Sequence, residues 1–507
     1  MKKFLTGLLL IIGFVSSAQD SKLPVFITDS LDRYIKTGMK DWQVPGMSIA
    51  IVKDGKVVFM KGYGVRETGK NDPVDENTLF MIGSNTKAFT ATTLAMLEQE
   101  KKLSLNDKVV KWMPEFKLRD PLATQEIMIT DLLCHRLGFE TFQGDFTYWT
   151  SKLNRSEIIG KMALVKAPYG FRTRWGYCNA AFVTAGQIIP KVTGKNWEDV
   201  VKEKILVPLK MDRTLMLSKE MITATNAASS HTIYKGKLIK LPYPMIDNLA
   251  PAGSISSSVK DMTNWLLTQL NAGKFEGNQV IPEAVLQTTY APRSIMGMDP
   301  TDKAQTHFYL YGLGFVINDR AGKLIISHTG GVDGFVSSVM IVPEEKLGIV
   351  ILTNTDQNNL FQNLTEEIRD AFLGLPYQGY SKQSLQYSRN NERKTMHWLD
   401  SLNTLVAKKN KPSTELKNFA GAFTNELYGD IQVKNENQAL NIYFSNHPTL
   451  IGKLEHLKDN IFLCTYSNPT MGMKEIPFKI ENGKVTGLTL RVADFVEFTP
   501  YEFVRKN

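Results

Sequence analysis

Met81-Ile82-Gly83-Ser84-Asn85-Thr86-Lys87 opens a helical pattern that runs to about Glu100, with Ala88, Thr92, Leu94 and Met96 along it. Ser84 and Lys87 are three residues apart, so on a helix they share a face one turn from each other. An ammonium beside a serine hydroxyl favours the alkoxide. A helix N-terminus also directs positive charge at the oxyanion formed on attack. The stretch therefore marks Ser84 as a candidate nucleophile, although the spacing alone discriminates little. Ser257-Ser258-Val259-Lys260 repeats it.

Upstream, Ile27–Trp42 has helical apolar spacing (Leu31, Tyr34, Ile35, Met39) and ends at Pro45-Gly46. Met47–Lys53 and Lys56–Tyr63 read as two strands joined by Asp54-Gly55, a strong hairpin signal. Downstream, residues 101–300 mix short helices with loops punctuated by Pro114, Pro121, Pro168, Pro208, Pro251 and Pro292. This predicts a helical insert. Strand signals return at Leu313–Asn318, Leu324–His328, Ser337–Val342 and Gly348–Thr353, followed by a helix from about Asn358 to Leu373. The order predicts an α+β fold in which the first hairpin and the later strands share one antiparallel sheet. Residues 376–412 are polar and read as a linker, within which Met396–Val406 has the makings of a short helix. About eight short strand-like runs occupy the remainder, 413–507, and predict a small all-β barrel or sandwich.

At 507 residues, with 43% hydrophobic and 22% charged positions, the composition excludes a disordered, collagen-like or disulfide-dense chain. Cys134, Cys178 and Cys464 allow one disulfide at most and form no CxxC. Residues 1–18, MKKFLTGLLLIIGFVSSA, combine Lys2 and Lys3, an apolar stretch and a small-residue exit. That is the pattern of a secretory signal peptide cleaved after Ala18, and it predicts export to the periplasm. No later run is long enough to span a bilayer. The formal charge of +9 is scattered, with no basic patch for nucleic acid. No metal-ligand spacing occurs among His231, His307, His397, His447 and His456. No metal or cofactor is expected, and the oligomeric state is not legible.

Two further elements join Ser84 and Lys87. Arg174-Trp175-Gly176-Tyr177-Cys178-Asn179 sets Tyr177 and Asn179 on alternate positions of an extended loop, so that both can face one cleft while Cys178 points away. Ser327-His328-Thr329-Gly330-Gly331 ends a strand, where a Thr-Gly edge lets an extended substrate approach and pair. Lys36-Thr37-Gly38 precedes the serine and falls in the N-terminal helix, so it is set aside.

Ser84-x-x-Lys87, Tyr177-x-Asn179 and His328-Thr329-Gly330, in that order, resemble the penicillin-recognising serine hydrolases. The nearest branch holds class C β-lactamases, D-alanyl-D-alanine carboxypeptidases, D-amino-acid peptidases and related esterases. Asp131-Leu132-Leu133-Cys134-His135, Ala250-Pro251-Ala252-Gly253-Ser254 and Ile351-Leu352-Thr353-Asn354 are similar to that branch as well. The resemblance covers roughly 24–375 and implies a β-lactamase/transpeptidase-like sheet flanked by helices, with an all-helical insert. The C-terminal unit resembles appended lipocalin-like domains. The resemblance implies acylation of Ser84, with Lys87 and Tyr177 moving protons. It implies substrate binding by Asn179, His328, Thr329 and Gly330, and an oxyanion hole from the N–H groups of Ser84 and Gly331. It leaves open which of Lys87 and Tyr177 is the base. His135 is expected to be structural. His328 stands where β-lactamases of this family usually carry lysine, and Thr355-Asp356-Gln357 lacks a basic residue. A neutral imidazole is a poor anchor for a carboxylate. The expected substrates are therefore small peptides, including cell-wall peptides, D-amino-acid amides or esters, ahead of β-lactams or D-alanyl-D-alanine. A non-catalytic penicillin-binding sensor is the further alternative.

Overall fold

A computed structural model describes residues 23–298 and 306–506. The expected export signal, 1–18, lies outside them. Eight antiparallel strands form the main sheet, in the order Lys56–Gly64, Gly46–Lys53, Leu347–Thr353, Phe335–Val342, Lys323–Val332, Val316–Arg320, Phe308–Tyr311 and Ser294–Met298. The N-terminal hairpin thus lies beside Leu347–Thr353, with Met47 opposite Thr353 and Lys53 opposite Leu347. Leu347–Thr353 is buried along its whole length because helices cover both faces. Leu347, Ile349 and Ile351 pack towards Leu31, Ile35, Leu360 and Leu364 of the terminal helices. Val350 and Leu352 face Met262 and Trp265 on the other side. A strand covered on both faces loses the apolar–polar alternation of a half-exposed one.

The helix Thr86–Gln99, which follows Ser84, is buried nearly all round, so it runs through the core behind the sheet. The region between the hairpin and the later strands is mostly helical but not wholly so. Ser230–Tyr234 and Lys237–Leu241 pair as a hairpin, which corrects the all-helical expectation. Its turn, Lys235-Gly236, has positive φ at both positions, as Asp54-Gly55 does. Lysine at the first of them concealed the signal that aspartate displays.

A second correction concerns 376–412. Tyr380–Ala407 is one 28-residue helix, far longer than the short helix expected at Met396–Val406 of the linker. Only Ser381, Leu385 and Leu402 are buried along it. Trp42 Nε1 donates to Ser381 Oγ at 3.0 Å, and Leu402 packs with Leu457 and Leu463. The helix is therefore a polar rod pinned at each end.

Residues 421–505 form a closed eight-stranded antiparallel barrel, completed by the pairing of Gly421–Asn425 with Tyr501–Arg505. Closure leaves no free edge. The barrel core accepts a guest from the first domain. Phe146, on the short helix Asp145–Tyr148, stacks on Tyr428 and His447, each at 5.1 Å, and meets Phe444 and Tyr501 edge-on. No described helix is long and apolar enough to cross a membrane. Truncating a fully buried Phe costs about 3–5 kcal/mol. Phe146→Ala is expected to split urea unfolding into two transitions, the barrel's first; a single unshifted transition would show that the plug does not couple the domains.

Candidate active site

Ser84 sits in a tight turn, Gly83–Asn85, that feeds the helix Thr86–Gln99. The turn is held against the sheet by polar groups. Asn85 Nδ2 donates to Ser337 Oγ at 2.9 Å, and Ser337 Oγ donates to the Ile82 carbonyl at 2.8 Å. Close backbone approach requires glycine at two points. Gly83 has φ +53, and a Cβ there would come within 2.7 Å of the Gly331 nitrogen. A Cβ on Gly330 would lie 1.8 Å from the Ile82 carbonyl oxygen. The Thr329-Gly330-Gly331 edge and the Ser84 turn are therefore packed backbone to backbone.

Lys87 has no solvent-accessible surface. Its Nζ lies 3.1 Å from Ser84 Oγ, 2.7 Å from Asn179 Oδ1 and 2.8 Å from the Ala252 carbonyl. The amide and carbonyl oxygens only accept, so two N–H bonds are committed to them. The remaining tetrahedral position faces Ser84 Oγ, and in the free amine it carries the lone pair. Burial pushes this ammonium down to about 7, and a charge on the nearby Asp145 carboxyl would act in the opposite direction. Tyr177 places its ring 4.6 Å from Lys87 Nζ, beside Ser84. Burial pushes its phenol up, so it is a neutral hydroxyl at ordinary pH.

The loop carrying Tyr177 hangs on His135. The Gly176 N–H donates to the His135 carbonyl at 2.9 Å, and the Cys178 N–H to His135 Nδ1 at 3.1 Å. The imidazole packs 4.3 Å from the Tyr177 ring. This is the structural role expected of His135, and Asp131 steadies its segment through Arg136 and Arg172. Asn179 is the first residue of a helix rather than part of an extended loop, yet its amide reaches Lys87. Cys178 is buried, and all three cysteines are free.

Thr329 is exposed and Gly331 half-buried on the strand Lys323–Val332. His328 is different. Its ring is buried, with Nδ1 donating to the Thr329 carbonyl at 2.6 Å and Nε2 accepting from the Tyr311 hydroxyl at 2.9 Å. Burial, with Lys87 nearby, pushes it down to about 4, so it is neutral. Both nitrogens are committed within the protein, leaving Thr329 as the exposed side chain of that edge. Ser257 and Lys260, the second S-x-x-K, fall apart: Ser257 pairs in a short strand with Phe80 and Lys260 is exposed. Among the described residues no cluster of His, Cys, Asp or Glu could hold a metal ion.

Residues 31–372 match the family model described as Beta-lactamase. The chain belongs to the beta-lactamase family. Residues 406–505 match a domain of unknown function, DUF3471, which is the barrel. The unguisins hydrolase ungD' of Aspergillus campestris is similar at 29% identity over 356 residues, 67% of this chain and 64% of that protein. The chain thus spans a little under two thirds of that relative's length. An octameric penicillin-binding protein homologue from Pyrococcus abyssi shares the fold across 94% of this chain and 99% of its own, with TM-score 0.61 and 23% identity. A D-stereospecific amidohydrolase from a Streptomyces species shares it over 68% of this chain and 98% of its own, with TM-score 0.55 and 20% identity.

Four residues at or behind the site had no motif to announce them. Asp145, Tyr311, Phe495 and Glu497 arrive from separate elements. Phe495, in the barrel loop, would be 3.3 Å from a Cβ on Gly331. Phe498 of the same loop stacks at 5.7 Å on Phe142, which meets Tyr177 edge-on at 5.5 Å. Gly330→Ala should cost on the order of 10²-fold in ester turnover by displacing the strand from Ser84. Gly160→Ala, where a Cβ meets nothing within 4 Å, should cost nothing. Equal activities in a p-nitrophenyl ester assay would refute this reading of the packing.

Proposed function

We propose that this chain is an exported serine hydrolase that cleaves peptide, D-amino-acid amide or ester bonds through an acyl-Ser84 intermediate. The observation that carries the reading is the buried Lys87 amine, fixed by two pure acceptors so that its third position faces Ser84 Oγ. Lys87 accepts the Ser84 proton as Ser84 Oγ attacks the carbonyl carbon. The oxyanion lies between the N–H groups of Ser84 and Gly331. Tyr177, a neutral phenol beside Ser84, passes a proton to the leaving amine or alcohol. Water then attacks the acyl ester, and the same groups return Ser84 to its resting state.

His328 shapes the substrate class. With a neutral imidazole engaged at both nitrogens, the strand edge offers hydrogen bonds rather than a cation. Substrates with a neutral group at that position fit better than the carboxylate of a β-lactam. Phe495 and Phe498 bring apolar surface from the barrel to the mouth of the site, which favours small substrates. Export rests on the 1–18 pattern.

A fluorophosphonate probe should label the wild type and not Ser84→Ala, and an unlabelled wild type that hydrolyses no ester or peptide would refute enzymatic function. Lys87→Met should lower kcat by about 10²–10⁴-fold, the usual weight of a general base. Protonated Lys87 cannot accept the Ser84 proton, so kcat/KM must fall as pH drops. The acid limb is expected near pH 7, and a profile flat across the neutral range would remove Lys87 from the role of base.

A further inference from the structure

The catalytic amine is the end of a buried chain that begins in the other domain. Lys87 Nζ donates to Asn179 Oδ1, and Asn179 Nδ2 donates to Asp145 Oδ2 at 2.6 Å. Asp145 is 2% exposed, and Glu497, from the barrel loop between Lys484–Leu490 and Tyr501–Arg505, is equally buried. Glu497 straddles Asp145 along the backbone. Its carboxyl accepts the N–H of Gly144 at 2.8 Å and of Phe146 at 2.9 Å, the residues on either side. It also accepts the Tyr501 hydroxyl at 2.7 Å and the Thr499 hydroxyl. Among the described residues, the one side chain donating to Asp145 is Asn179.

Two buried carboxyl groups, one bonded to the backbone N–H groups on either side of the other, do not both ionise in the dry interior. The donor count decides between them. Four donors stabilise an anion on Glu497, whereas Asp145 has one. We propose that Asp145 and Glu497 form a buried acid pair sharing one proton, carried by Asp145, and that Glu497 is thereby a positioning residue for Lys87. The inference rests on the reading of Lys87 as base and adds its regulation.

The chemistry is that of an avoided ion pair. An ionised Asp145, one amide away from Lys87, would hold the lysine as ammonium and remove its lone pair from Ser84. A neutral Asp145 leaves the Asn179 amide oriented and withholds the charge that would raise the amine's titration. Burial, and next the Glu497 charge, push the Asp145 acid well above the ordinary carboxylate range, in agreement. The other titratable groups facing the pair are Cys178, Tyr148 and Tyr501, all driven towards their neutral forms by burial. His135 and His328, which face Lys87, are also held neutral by burial. Lys87 is therefore the cation that senses Asp145. The barrel acts on the reaction without touching the substrate.

The test pairs two substitutions with a direct observation of the proton. In the full-length protein at neutral pH, infrared difference spectra should show the C=O band of a buried protonated carboxylic acid that Asp145→Asn removes. Absence of that band from the wild type would overturn the proposal whether or not the protein proves to be an enzyme. In ester hydrolysis, Asp145→Asn should leave the acid limb of kcat/KM in place, since an amide and a neutral acid present the same charge. Glu497→Gln should move that limb upward by about 1 pH unit as Asp145 ionises and retains the lysine proton. The shift should vanish in the double variant. A limb that Glu497→Gln leaves in place, or moves equally when Asp145→Asn is also present, would overturn the coupling, as would a downward shift in Asp145→Asn alone. Failure of Ser84 to take the fluorophosphonate is a separate result that tests the hydrolase reading itself.

Discussion

A lysine amine with no solvent-accessible surface sits beside a serine hydroxyl, and much of the molecule is arranged around that fact. Burying an ammonium without partners is costly enough that the group sheds its proton instead. Here two oxygens, Asn179 Oδ1 and the Ala252 carbonyl, hold the amine in one orientation. They come from the start of the helix Asn179–Thr193 and from the short helix Ala250–Gly253. Both must therefore dock on the helix Thr86–Gln99 before the site exists. The beta-lactamase-family sheet supplies the remaining wall, because Gly330 allows its strand to touch the backbone of the Ser84 turn.

What was legible in the sequence follows from how local each signal is. Asp54-Gly55, the helix opened by Ser84, and the strands around His328 and Ile351 are written in turn chemistry and apolar runs of a few residues. The Ser84, Lys87, Tyr177 and Asn179 set was legible because the elements carrying it keep short motifs in a fixed order. The helix Tyr380–Ala407 was not, since its surface is polar nearly all round. Three buried residues among 28 leave no apolar stripe to detect. Ser230–Leu241 escaped for the opposite reason, a sound hairpin joined by an uncommon Lys-Gly turn.

The histidines show the limit from another side. His328 and His135 occupy adjacent seats around Tyr177 and Tyr311, and each is held neutral by burial. The sequence marks His328 as a departure in chemistry, from a cation to an imidazole. It does not show that the ring turns inward to Tyr311 and the Thr329 carbonyl, because that depends on Tyr311, seventeen residues away on another strand.

Asp145 and Glu497 are 352 positions apart, and no local pattern could have joined them. Their juxtaposition depends on how the barrel docks, and that docking has two components of different character. The Phe146 ring in the barrel core supplies attraction with little orientational demand. The polar contacts supply the orientation. Glu497 accepts from Gly144 and Phe146, Thr470 Oγ1 donates to the Asp333 carboxylate, and the Lys152 N–H donates to the Asn446 carbonyl. Each such group, left buried and unpaired, costs about 1–3 kcal/mol, and more where it is charged. A barrel rotated about the Phe146 plug would keep most of its apolar contact and lose several of these bonds at once. The interface thus selects one pose, and in that pose the Glu497 carboxylate is delivered beside Asp145, at the far end of the chain of groups that leads to Lys87.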